Sequence, residues 1–168
     1  MRRRRRRGQA AIEYALVTVG VVLPVTFALI YTALQLWVWH TVNDFTRRGA
    51  RYAATHCWQN GAGNVIQWMQ QNFPLTWDRQ QFLAGAAQIK VSYYTRNPET
   101  GAYEDFSCAA GECSLACVPD AVRVQILNYE FRGLSTYFGL PPLPIPDFQT
   151  TLPVESAGCD PGASTCRP

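Results

Sequence analysis

Residues 15–39, ALVTVGVVLPVTFALIYTALQLWVW, contain no charged side chain. That absence excludes an ordinary surface helix, which keeps one polar face in water. Catalytic signatures are lacking too. There is no G-x-S-x-G elbow, no H-E-x-x-H pair and no phosphate-binding glycine loop. Only two histidines occur, His40 and His56, and both are read as structural residues of a helix. An enzyme is not expected, and neither a catalytic residue nor a cofactor is assigned. Basic residues are scarce outside one run. Setting aside the six arginines at residues 2–7 leaves nine basic side chains against twelve acidic ones, so the net charge of +3 becomes −3. A nucleic-acid-binding domain spreads basic residues over a folded face, so nucleic acid is not an expected partner.

What is present is a membrane segment. The charge-free stretch exceeds the roughly 20 apolar residues that carry a helix across a bilayer core. Trp37 and Trp39 near its end suit the aromatic belt of a membrane surface, with Tyr31 close to that zone. The arginine run precedes the span, which holds the N-terminus in the cytoplasm. Arg47, Arg48 and Arg51 follow it, but the compact N-terminal run is the stronger signal. A cleaved secretory signal has a shorter apolar region and a small-residue cleavage site after it. Neither fits, so a single-pass anchor in a bacterial inner membrane is expected, with the C-terminal domain in the periplasm. Six cysteines, an even number, agree with an oxidising compartment.

Two residues of the helix invite functional readings. Glu13 places a carboxylate at the cytoplasmic mouth of the span, where ionisable groups are costly and functional candidates. The plainer alternative is an interfacial side chain reaching back to headgroup level. Pro24, mid-span, removes a backbone donor and favours a kink. Either it is merely tolerated, or the kink serves subunit packing.

Beyond the span, Val42, Phe45, Gly49, Tyr52, Ala53 and His56 recur at helical spacing. One long helix is expected over residues 9–59, with the transmembrane part at 15–39, followed by an α+β domain over 60–168 with cysteine-rich loops. Within that domain, residues 60–64 break the chain and residues 65–73 suggest a short helix. Thr76 or Asp78 caps another, running to about Ala87. Residues 88–96 alternate as a strand, residues 97–101 form a turn, and residues 102–107 return as a hairpin. Residues 121–132 carry the clearest strand signal, through Val122, Val124, Ile126, Tyr129 and Phe131 on one packed face, with or without a bulge. Residues 140–148 read as a proline-rich loop and residues 148–156 as an edge strand. Trp58, Trp68 and Trp77 are expected in the core, and Asp78, Glu104 and Asp105 on a solvated face.

Cys108, Cys113 and Cys117 follow a C-x4-C-x3-C spacing, whereas zinc sites favour C-x2-C knuckles. No histidine lies near them in sequence, so disulfides are preferred to a metal. Many connectivities are open. The suggested pairing joins Cys159 to Cys166 and two of the middle three to each other, leaving the third for Cys57.

The junction GQAAIEYALV resembles that of type IV prepilins, with a basic run, Gly8, then Glu13 at the fifth position after it. Tyr14 beside Glu13 is similar to the Glu-Tyr or Glu-Phe pair of the tight-adherence branch. The segment RRGARYAATHC resembles the REGARYAA-like stretch of TadE-like proteins. The resemblance implies a pilin-like fold, in which a long helix packs on a small antiparallel sheet. It also implies cleavage between Gly8 and Gln9 by a prepilin peptidase, making residues 1–8 a leader. Glu13 would then pair with the N-terminus of a neighbouring subunit. The implied role is a minor pilin or pseudopilin of a tight-adherence pilus or related secretion apparatus. Its partners would be other pilin-like subunits, the inner-membrane assembly platform and the lipid bilayer, with entry into the pilus open. The alternative is an uncleaved bitopic protein whose periplasmic domain senses or binds a partner.

Overall fold

The computed structural model describes residues 2–59, 61–74, 78–108, 113–133, 139, 141–154, 156–160, 162 and 165–166. Asn60, Thr76 and Trp77 lie outside the described residues. The chain is α+β and divides into two units, Met1–Trp37 and Val38–Pro168.

The first unit is helical. It comprises α1 (Arg2–Val17), a π-helical turn (Thr18–Val22) and the start of α2 (Leu23–Thr55). The helix stops four residues short of the expected Gln59. Asn64 accounts for this: its Nδ2 donates to the carbonyl of Cys57 at 2.7 Å, and its Oδ1 accepts the amide of Gln59 at 3.1 Å. Side-chain bonds of this kind give the backbone an alternative to another helical turn.

In the second unit, α2 buries Val38, Val42, Phe45, Thr46, Gly49, Ala50 and Ala53. This is the face expected from the three- and four-residue spacing. Helix α3 (Gly63–Gln71) contributes Val65 and Met69 to the same core. Helix α4 (Arg79–Leu83) is shorter than expected and is capped by Asp78, whose carboxylate accepts the Gln80 amide at 3.1 Å. Gln81, buried, joins α4 to the chain beyond. Its Nε2 donates to the Glu130 carbonyl at 2.8 Å, and its Oε1 accepts the Glu130 amide at 3.0 Å.

The sheet has four antiparallel strands in the order β2-β1-β3-β6. They are β1 (Gln88–Arg96), β2 (Tyr103–Asp105), β3 (Ala121–Leu127) and β6 (Phe148–Pro153). The register sets Val91 opposite Val124 and Ile89 opposite Ile126, with Val124 in turn opposite Thr150. Val122, Val124 and Ile126 therefore share one face, which joins the core with Val38, Val42, Phe45, Ala50 and Ala53 of α2. β6 is an edge strand, as expected. Trp58 is buried and Trp68 half-buried, while Glu104 and Asp105 are exposed. Asp78 is half-buried and serves as a helix cap.

Two expectations need correction. The long strand over residues 121–132 ends at Leu127, because Asn128 takes a left-handed φ of 56°. Its amide donates to Asp147 at 3.2 Å. The chain then resumes as β4 (Glu130–Phe131). β4 pairs with β5 (Leu143–Pro144), so the proline-rich segment holds a strand. A further hairpin, β7 (Cys159–Asp160) with β8 (Thr165–Cys166), was not expected.

Candidate functional site

The helix Gly8–Thr55 is long and apolar enough to cross a membrane. Its apolar side chains have no internal use in the first unit. Among the described residues 8–37 none is buried, with Leu16 67% exposed and Leu29 66%. So much apolar surface is unfavourable in water and demands lipid or neighbouring helices.

Two threonine hydroxyls within this helix are satisfied locally. Thr26 Oγ1 donates to the Val22 carbonyl at 2.8 Å, and Thr32 Oγ1 donates to the Ala28 carbonyl at 2.8 Å. Each hydroxyl thus folds back one turn. At the mouth of the apolar run stand Glu13 and Tyr14, both exposed. Gln9 Nε2 reaches Glu13 Oε1 at 3.4 Å, one helical turn away. Among the described residues, nothing lies within 4 Å of the space beside Gly8.

Pro24 sits at the second position of α2, directly after the π turn. The Leu23 amide donates to the carbonyl of Thr18, five residues back. A proline ring collides with the carbonyl four residues before it, here Gly20. Widening the preceding turn gives that ring room. The sequence leads one to expect a kink at Pro24; the structure has a π turn just before it, which the sequence does not signal.

The RRGARYAA segment has a packing role. A Cβ on Gly49 would lie 2.6 Å from Met69 Sδ and 2.7 Å from its Cε. Ala50 and Ala53 are fully buried beside it. Tyr52 stacks on Trp68 at 4.4 Å between centroids and on His56 at 3.8 Å. Arg48 is exposed and pairs with Asp44. The small residues let α3 approach closely, and the aromatic one extends the contact. His40 is exposed.

The six cysteines form three disulfides, Cys57–Cys113, Cys108–Cys117 and Cys159–Cys166. The first spans 56 residues and ties the end of α2 to the loop before β3. The third closes the β7–β8 hairpin. Four of the sulfurs, those of Cys57, Cys113, Cys159 and Cys166, lie within 4.8 Å of one another. Cys113 and Cys159 are 46 residues apart in sequence, so no local spacing signals this meeting.

No curated protein and no solved structure matches the chain. The family model described as TadE-like protein matches residues 8–51. That segment runs from Gly8 through Glu13 and the π turn to the start of the Gly49 packing segment. Over residues 8–51 the chain is similar to the TadE-like family.

Proposed function

We propose that this protein is a minor pilin or pseudopilin of a tight-adherence pilus or related secretion apparatus, anchored in the inner membrane by its N-terminal helix. The observation that carries this reading is the exposed Glu13 at the mouth of a helix whose described apolar side chains, through Trp37, are all unburied. Cleavage between Gly8 and Gln9 creates an ammonium at the same helix end. A carboxylate and an ammonium attract strongly where water is excluded, and each is costly there alone. Pairing Glu13 with the Gln9 ammonium of a neighbouring subunit therefore favours association and sets its register. The Gly8–Gln9 bond lies inside α1, so the peptidase must unwind that turn, which Gly8 makes easier. The arginines at residues 2–7 support a cytoplasmic leader, and three disulfides support a periplasmic domain.

Intact-mass measurement on protein from its native cell tests the processing. The expected mature chain begins at Gln9. A full-length chain favours the uncleaved bitopic reading instead. Glu13→Ala is expected to keep membrane insertion and to abolish co-purification with other pilin-like subunits. Unchanged co-purification overturns the assembly role of Glu13.

A further inference from the structure

Two of the three disulfides lie against each other. Cys113 Sγ is 3.7 Å from Cys159 Sγ, which belongs to the other pair. All four sulfurs of Cys57, Cys113, Cys159 and Cys166 fall within 4.8 Å. The third pair, Cys108–Cys117, is outside this cluster.

That grouping has the dimensions of a metal site. Zinc bound tetrahedrally by thiolates has Zn–S distances of about 2.3 Å, which places the sulfurs about 3.8 Å apart. The Cys113–Cys159 separation matches such an edge. A disulfide bond is about 2 Å long, so opening two opposite edges to that length asks each sulfur to move by roughly an ångström.

Backbone hydrogen bonds and strand pairing flank these positions alongside the S–S bonds. Asn64 fixes the turn at Cys57 through the Cys57 carbonyl and the Gln59 amide. The Cys113 amide donates to the Trp58 carbonyl at 3.2 Å. Cys159 and Cys166 face each other across β7 and β8, and the Cys159 amide donates to the Ser156 carbonyl at 2.8 Å. Cys57 and Cys159 are buried, and the other two are half-buried. A bound ion would be largely shielded from water.

We propose that the reduced chain binds one zinc ion through Cys57, Cys113, Cys159 and Cys166, and that oxidation exchanges this site for two disulfides. The chain is synthesised with free thiols. Binding Zn²⁺ converts four thiols to thiolates and releases four protons. Oxidation then passes four electrons to a disulfide-donating oxidant, forms the two S–S bonds and releases Zn²⁺. The ion thus holds the end of α2, the loop at Cys113 and the β7–β8 hairpin together before cross-linking. It also keeps Cys108 and Cys117 free to find each other. This inference is independent of the pilus assignment.

The test uses the full-length chain in detergent, reduced with a phosphine under anaerobic conditions and titrated with Co²⁺, then Zn²⁺. One equivalent of Co²⁺ is expected to give the intense visible bands and thiolate charge-transfer absorption of a tetrahedral sulfur site, bleached by Zn²⁺. In the zinc-loaded chain, alkylation followed by mass mapping should label Cys108 and Cys117 and spare the other four. The double variant Cys108→Ser/Cys117→Ser should keep the full spectrum, whereas Cys159→Ser should lose the four-sulfur spectrum. The proposal is overturned by the absence of tetrahedral Co²⁺ absorption, by protection of Cys108 and Cys117, or by loss of uptake in the double variant.

Discussion

Gly49 on α2 and Met69 on α3 meet with no room for one more carbon, since a Cβ on Gly49 would stand 2.6 Å from the Met69 sulfur. Met69 is fully buried, so its thioether can turn aside only slightly. Gly49→Ala adds up to about 1 kcal/mol of helix propensity, which offsets much of the crowding. Its stability is expected within about 1 kcal/mol of wild type. Gly49→Leu has no such balance and should lose about 1–3 kcal/mol by overpacking. Thermal unfolding in detergent, followed by near-ultraviolet circular dichroism, separates the two. Equal midpoints for Gly49→Leu and wild type would sink this account of the segment.

The π turn before Pro24 leaves a local weakness in the helix. Pro24→Ala restores an amide that can bond to the Gly20 carbonyl, so the turn should close to α-helix. Amide hydrogen exchange in micelles is expected to slow across residues 18–24 in the variant. Unchanged exchange there would show that Pro24 does not cause the wide turn.

The disulfides should differ in worth because their loops differ. Cys57–Cys113 closes a separation of 56 residues and Cys108–Cys117 one of 9. Loop-closure entropy values the first at about 4 kcal/mol and the second at about 3 kcal/mol. Denaturant unfolding of Cys57→Ala/Cys113→Ala should therefore show the larger loss when set beside Cys108→Ala/Cys117→Ala. The reverse order would mean that residual structure in the unfolded chain outweighs loop length.

The hydroxyl of Tyr93 is buried, with no hydrogen-bond partner among the described residues. Burial pushes its pKa well above the usual tyrosine value. The folded state therefore binds this proton more tightly than the unfolded state. Stability from this source is intact below the unfolded pKa of about 10 and is lost as pH rises through the higher folded value. Tyr93→Phe removes both the unpartnered group and the alkaline loss. It should be close to neutral at pH 7 and more resistant than wild type above pH 10, as read from chemical denaturation at both pH values. A variant that still loses stability above pH 10 as steeply as wild type would place the alkaline weakness elsewhere. Tyr129, also raised by burial, is the first place to look.

Much of the fold was legible where the signal is local. The charge-free run and the spacing of Val42, Phe45 and Gly49 announce the helix and its buried face. The alternation of residues 88–96 matches β1 to the residue. Features that need a distant partner were not legible. Asn128 ends β3 because Asp147, 19 positions on, receives its amide. Asn64 halts α2 from a later element, and nothing in its neighbourhood in sequence says so. Gly49 falls on the expected helical face, but the close approach that it allows shows only when Met69 is seen against it. In the candidate site, the carboxylate at Glu13 stands out from composition alone, whereas the four-sulfur cluster appears only once the chain is folded.

Thr26 and Thr32 each count as polar letters, yet each spends its proton on a carbonyl of its own helix. What they turn outward is a methyl group. A hydrocarbon solvent meeting this helix finds no hydroxyl there asking for water, so both residues can sit at any depth of the bilayer without anchoring it.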